Sequence, residues 1–319
     1  MPVSDRSPSA ACLTCRAYLR CFSVLAVALV VLSLTGCNLL NVMSVRPDKT
    51  DTAKSDVTRA VAGAVESVAL PVKHQCRVSQ FVFVSDFELK RELPLFRELE
   101  EMREHIHKTL QLPACMNLVY VYLFEDSERY ERFMKTKYPE LPKRRAFFIA
   151  QPRAMGGEDL LVYTYWGNGE RIQQDLRHEL THALLHSVLK DVPLWLDEGL
   201  AEYFELSPAK KSINFDHVKN LRHGAAGAAR CDLARLEQLS QVEQMTPAEY
   251  REAWAWVHLM LHSNDESRKV LIGYLRDLRS TKTPGSLRLR LTAVYPGPEM
   301  ALDHHLGMVE QKLRADAGY

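Results

Sequence analysis

The chain has 319 residues, 46% of them hydrophobic and 25% charged, with a formal net charge of +1. This is an ordinary globular balance, with enough chain for one large domain or two small ones. Acids and bases are interleaved and no basic stripe stands out, which argues against a nucleic-acid partner.

The first segment in chain order is set apart from the fold. Arg16 and Arg20 precede an apolar run of 14 residues from Cys21 to Leu34. The run is short for a membrane span and suits the hydrophobic region of a secretion signal, with an uncleaved anchor helix as the rival reading. It ends in Leu34-Thr35-Gly36-Cys37, which resembles a bacterial lipobox. The resemblance implies a signal peptide over residues 1–36 and a diacylglycerol on the Cys37 thiol. It also implies a lipid anchor in the bacterial cell envelope, on the periplasmic face of the outer membrane in a Gram-negative host. Removing Arg6, Arg16 and Arg20 together with Asp5 takes the net charge from +1 to −1. Cys76, Cys115 and Cys231 then remain in an oxidising compartment, with room for one disulfide whose pairing the sequence leaves open. Residues 37–75, rich in Asp, Thr, Ser, Lys and Ala, read as a tether.

The folded part is expected from Cys76. A β-rich run through Val78, Phe81 and Phe83 ends at Ser85. Leu95, Leu99, Met102, Ile106 and Leu110 recur at helical spacing. Asn117–Phe124 reads as a strand, and Asp126-Ser127-Glu128 opens a helix that closes near Tyr138-Pro139. Arg145–Ala150 and Leu160–Trp166 read as two further strands, turned at Gly156-Gly157. From residue 170 the chain reads as helical. Thr246-Pro247-Ala248-Glu249 is a capping box with Pro at the first helical position, opening a helix to about His262. The expected fold class is α+β: a small mixed sheet with helices, then a mostly helical C-terminal half. The division falls at 76–206 and 207–319.

The chemistry is concentrated in His178-Glu179-Leu180-Thr181-His182. Residues four apart share one helix face, so His178 and His182 present two imidazoles to a single ion. Glu179 sits one step round the helix, where its carboxylate can take a proton from water without occupying the coordination sphere. Five residues alone are weakly specific. A catalytic zinc, however, takes three protein ligands and keeps one position open. Glu198, on a new helix after Pro193, supplies the third, with Glu202 as the competing candidate.

His178-Glu179-Leu180-Thr181-His182 followed by Trp195-Leu196-Asp197-Glu198-Gly199-Leu200-Ala201-Glu202 resembles the gluzincins, the superfamily of thermolysin and the aminopeptidase N type enzymes. Within it, the likeness is to bacterial peptidase MA-like domains and covers about residues 80–261. The resemblance implies one zinc ion per chain on His178, His182 and Glu198, with Glu179 as general base. It implies that Glu202 orients His178, and that Tyr250 donates to the oxyanion through a pattern like Y-x-K-G-x-x-x-L. The chain departs from that pattern at the Lys and Gly. It also implies an edge strand that pairs with extended substrate, expected at Leu160–Trp166. No G-x-M-E-N-like signature of an exopeptidase is present.

Other features have plainer readings. His186 continues the stripe of His178 and His182 but lies a further turn away, and reads as a flank or core residue. His258 and His262 read as structural or exposed, and the adjacent His304 and His305 diverge on a helix, which argues against a shared metal. Trp195, Trp254 and Trp256 are expected to pack the helical part, and Lys143-Arg144-Arg145 to form a solvated turn. The sequence therefore points to a zinc metallopeptidase that takes a peptide or protein substrate and meets the membrane through its N-terminal lipid. The rival is a non-catalytic envelope lipoprotein that uses the same site structurally or for binding.

Overall fold

The computed structural model describes residues 69–316 apart from 168, 170, 208–211, 225–230 and 282–283. The expected signal peptide, Cys37 and the tether up to residue 68 lie outside the described residues.

Five strands form one mixed sheet in the N-terminal half: β1 (His74–Val78), β2 (Phe81–Ser85), β3 (Val119–Phe124), β4 (Ala146–Pro152) and β5 (Glu158–Tyr165). The spatial order is β1-β2-β3-β5-β4. The β2–β3 and β3–β5 pairs are parallel, and β1–β2 and β4–β5 are antiparallel. A parallel pair needs a crossover. Helix α1 (Pro94–Leu110) provides it between β2 and β3, burying Phe96, Leu99, Met102, Ile106 and Leu110. Helix α2 (Ser127–Lys137) follows β3, its start fixed by the Asp126 carboxylate, which accepts from the Arg129 amide at 2.8 Å.

Two sequence expectations change. The run expected from Cys76 to Ser85 is two strands, reversed at Ser79, which adopts φ 55° without a glycine to mark the turn. The strand expected at the edge, Leu160–Trp166, is β5, which has neighbours on both sides; the edge strand beside it is β4. Side-chain alternation reports which face is buried, not how many strands flank it.

The C-terminal half is mostly helical. Helix α3 (Ile172–His186) packs on β4 and β5, and α4 (Leu194–Phe204) packs on α3. Then come α5 (Phe215–His223), α6 (Leu233–Leu236), α7 (Pro247–His262), α8 (Asp265–Asp277), α9 (Leu287–Leu291) and α10 (Pro298–Asp316). Thr246 and Glu249 close both limbs of the expected capping box on α7. Trp195, Trp254 and Trp256 are fully buried, in a core that runs on from the sheet through α3 and α4 to α7. Gly199 lets α4 approach α7 closely: a Cβ there would lie 2.7 Å from the carbonyl oxygen of Ala253. Among the described residues, no helix is long and apolar enough to cross a membrane. Cys76, Cys115 and Cys231 are all free.

Candidate metal centre

The buried side of α3 carries Ile172, Leu176, Leu180, Ala183 and Leu184 into the core, so His178 and His182 turn together toward α4. Their rings lie 5.0 Å apart. The Glu198 carboxylate, 3% exposed, meets both: Oε2 is 3.4 Å from His178 Nε2 and 3.6 Å from His182 Nε2. These three side chains form a group able to hold a metal ion. Glu198 Oε2 is buried and has no hydrogen-bond partner. A buried anionic oxygen without a donor is costly unless a cation faces it, so the donor set fits an ion.

The surrounding charges point the same way. Burial opposes a charged imidazole at His178, but the carboxylates of Glu198 and Glu205 outweigh it and hold the pKa well above the ordinary range. At His182 burial is again overcome, by Asp197 and Glu198, and the pKa rises to about 10. Burial likewise opposes ionisation of Glu198, yet the neighbouring imidazoles of His178 and His182 bring it down to about 2. The pocket is thus built around positive charge. Burial raises the pKa of Glu179, and the neighbouring charge of Glu198 adds to this, while His178, His182 and Arg144 pull it down.

Each imidazole is held from its far side. His178 Nδ1 lies 2.9 Å from Glu205 Oε2. Glu205 caps the C-terminus of α4 and is fixed there by two α3 residues. Gln174 donates to its carboxylate at 2.8 Å, and Arg177 donates to the carbonyls of Phe204, Glu205 and Leu206 at 2.8–2.9 Å. A guanidinium on the last carbonyls of a helix satisfies orphan acceptors and complements the helix dipole. His182 Nδ1 lies 3.0 Å from Asp197 Oδ1, a charge contact without hydrogen-bond alignment, and the other oxygen of Asp197 is 2.9 Å from His186 Nε2. Asp197 therefore serves two histidines, and burial, which would raise its pKa, is overridden by them.

Among the residues expected to flank the ligands, Glu202 is placed differently. Glu202, expected to orient His178, pairs with His217 of α5 at 2.9 Å, and Glu205 takes the His178 nitrogen instead. His186 has a partner, Asp197. Tyr250 faces the site from α7: burial raises its pKa to about 12, and the charge of Glu198 adds to the effect. Its phenol oxygen accepts from Arg144 at 3.2 Å. The expected solvated turn at 143–145 thus contains a residue of the site. Arg145 is also engaged, with Asp175 at 2.9 Å and Tyr165 at 2.6 Å. Sequence reasoning passed over Asp197, Glu205, Arg177 and Arg144. Only Asp197, adjacent to Glu198 in the motif, carried a local signal.

Residues 174–285 match the model of a family described as "Protein of unknown function (DUF1570)". This stretch contains every residue of the centre except Arg144. In comparison with curated proteins, none matches the chain.

Proposed function

We propose that this chain is a zinc-dependent hydrolase of the gluzincin kind, acting on peptide bonds. The observation that carries the reading is the convergence of His178 Nε2, His182 Nε2 and Glu198 Oε2 beside Glu179. Two ligands about 2.1 Å from an ion at a tetrahedral angle stand about 3.4 Å apart, and the nitrogen–oxygen separations here are 3.4 and 3.6 Å. Zinc in this position would act as a Lewis acid, polarising a carbonyl and acidifying a water molecule.

The chain's own groups do the rest. Glu179 takes a proton from the water whose oxygen adds to the carbonyl carbon, and passes it to the nitrogen as the carbon–nitrogen bond breaks. Tyr250, kept protonated by burial and the charge of Glu198, donates to the carbonyl oxygen as negative charge gathers there. Arg144 donates to the phenol oxygen, which leaves the phenol hydrogen for a second acceptor. Strand β4, at the sheet edge, carries Phe148 against His182 and His186 at ring distances of 6.2 and 5.3 Å. Backbone pairing along β4 would lay an extended substrate beside the ligands.

The test compares zinc content and peptide-library cleavage in the wild type and Glu179→Gln. One zinc per chain is expected in both, with turnover about 10²- to 10⁴-fold lower in the variant. A wild type that holds no zinc after metal-replete purification, or a variant that cleaves at full rate, overturns the reading.

A further inference from the structure

Lys143, Arg144 and Arg145 are three consecutive cations at the approach to β4. Lys143 pairs with Glu131 at 2.8 Å and Arg145 with Asp175 at 2.9 Å. Asp175 lies on the first turn of α3, so Arg145 clips the start of the edge strand to the metal-ligand helix. Among the described residues, no carboxylate lies within ion-pair distance of Arg144. Arg144 is an exposed residue, and its guanidinium is tied instead to the Tyr250 phenol, 106 residues away. Tyr250 is half-buried and faces Glu198, and the negative charges of Glu198 and Glu179 reach Arg144 as well. An arginine fixed at the rim of the site with no carboxylate at ion-pair distance is placed to receive one from outside. Most of its five N–H donors are uncommitted, and their fork matches a carboxylate.

The strand direction says which end of a substrate arrives there. β4 pairs with β5 antiparallel and has no other strand neighbour among the described residues. A peptide added to the outer side in the more stable antiparallel sense runs opposite to β4. Its C-terminal half then leads from the Phe148 region, beside His182, back toward Ala146 and Arg144.

We infer that Arg144 binds a substrate carboxylate on the C-terminal side of the scissile bond, so that the site prefers peptides whose carboxylate follows the cut within a few residues. This rests on the hydrolase reading for the cut, but not for the binding. The carboxylate has two sources, the free C-terminus of a short peptide or an Asp or Glu side chain. Both present the same group to the guanidinium.

The experiment uses the full zinc-replete chain and a randomised hexapeptide library in three forms: free acid, C-terminal amide, and amide with Asp at the last position. Binding is read on Glu179→Gln by calorimetry, and cleavage on the wild type by mass spectrometry. The free acid or the Asp form should bind about 10- to 100-fold more tightly than the plain amide. The form that binds tightly identifies the source. Arg144→Ala should erase the difference and raise KM for the carboxylate forms alone, while kcat falls alike for all three forms because the Tyr250 phenol loses its donor, and Arg144→Lys should restore part of the difference. Zinc content and circular dichroism unchanged in both variants would establish that the fold is intact. Equal binding of all three forms, or a preference that survives in Arg144→Ala, overturns the inference whether or not any peptide is cut. Carboxylate-dependent binding without cleavage by the wild type would uphold Arg144 and sink the hydrolase reading.

Discussion

At the residue scale, the ligands depend on what stands behind them. An imidazole points where its second nitrogen is held. His178 is held by Glu205, and Glu205 by Gln174 and Arg177; His182 is held by Asp197. Glu205→Gln and Asp197→Asn should each weaken zinc binding about 10- to 100-fold in a chelator-competition titration. Glu202→Gln should leave it within about 2-fold, since its partner is His217. A larger loss in Glu202→Gln than in Glu205→Gln would return the orienting role to Glu202. This is also where the sequence stopped being legible. His178, Glu179, His182 and Glu198 declare themselves by spacing and context. Residues 202 and 205 both follow Glu198 on the same helical face, so periodicity cannot separate them. The choice is made by Arg177, through carbonyls that only the folded helix pair brings together.

At the element scale, the contact of α4 with α7 positions Glu198, the proposed third ligand, because Glu198 and Gly199 are neighbours. A methyl at Gly199 would meet Ala253 carbonyl atoms at 2.7 and 2.8 Å and Val257 Cγ2 at 3.1 Å. Backbone cannot yield as a side-chain tip can, so Gly199→Ala should cost about 1–3 kcal/mol in urea denaturation. It should also weaken zinc binding. Gly273→Ala on α8 is the control: a Cβ there meets nothing within 4 Å, and the change should stabilise by up to about 1 kcal/mol through helix propensity. Equal effects at the two positions would show that the close approach is not needed. Helices with strong periodicity and caps, α1, α2 and α7, were readable in advance because their signals are local. The order of the strands was not. Leu160–Thr164 of β5 are buried in succession, but the two neighbours of the strand come from residues 119–124 and 146–152, and pairing at that distance leaves no mark in the run itself.

For the whole molecule, acid sensitivity should come in part from α7 against α10. His258 Nδ1 and His305 Nε2 are 2.8 Å apart and buried between these helices. Burial, then the charges of His262, His305 and Lys312, brings His258 down to about 2; burial, then His262 and His304, brings His305 down to about 4. Both are neutral in the folded chain. The unfolded chain takes up protons near pH 6.5, the folded one only well below that. Stability from the pair is therefore complete above pH 6.5 and is lost as the pH falls toward 4. The loss should reach several kcal/mol of unfolding free energy, up to about 6, across that window. His305→Gln should flatten the dependence, and an unchanged slope would remove the pair as its cause.

The bond between Arg144 and Tyr250 joins residues 106 positions apart, whereas His182 and Glu198 are 16 apart in the chain. Closing the longer loop costs roughly 1.7 kcal/mol more chain entropy than closing the shorter one. The cluster of His178, His182 and Glu198 is therefore a local structure that α3 and α4 can assemble between themselves. The Arg144–Tyr250 pair waits on contacts of high order between the start of the sheet's edge and the helical half. On the proposed reading, the cluster that would take the metal can form before the contact that would take the substrate.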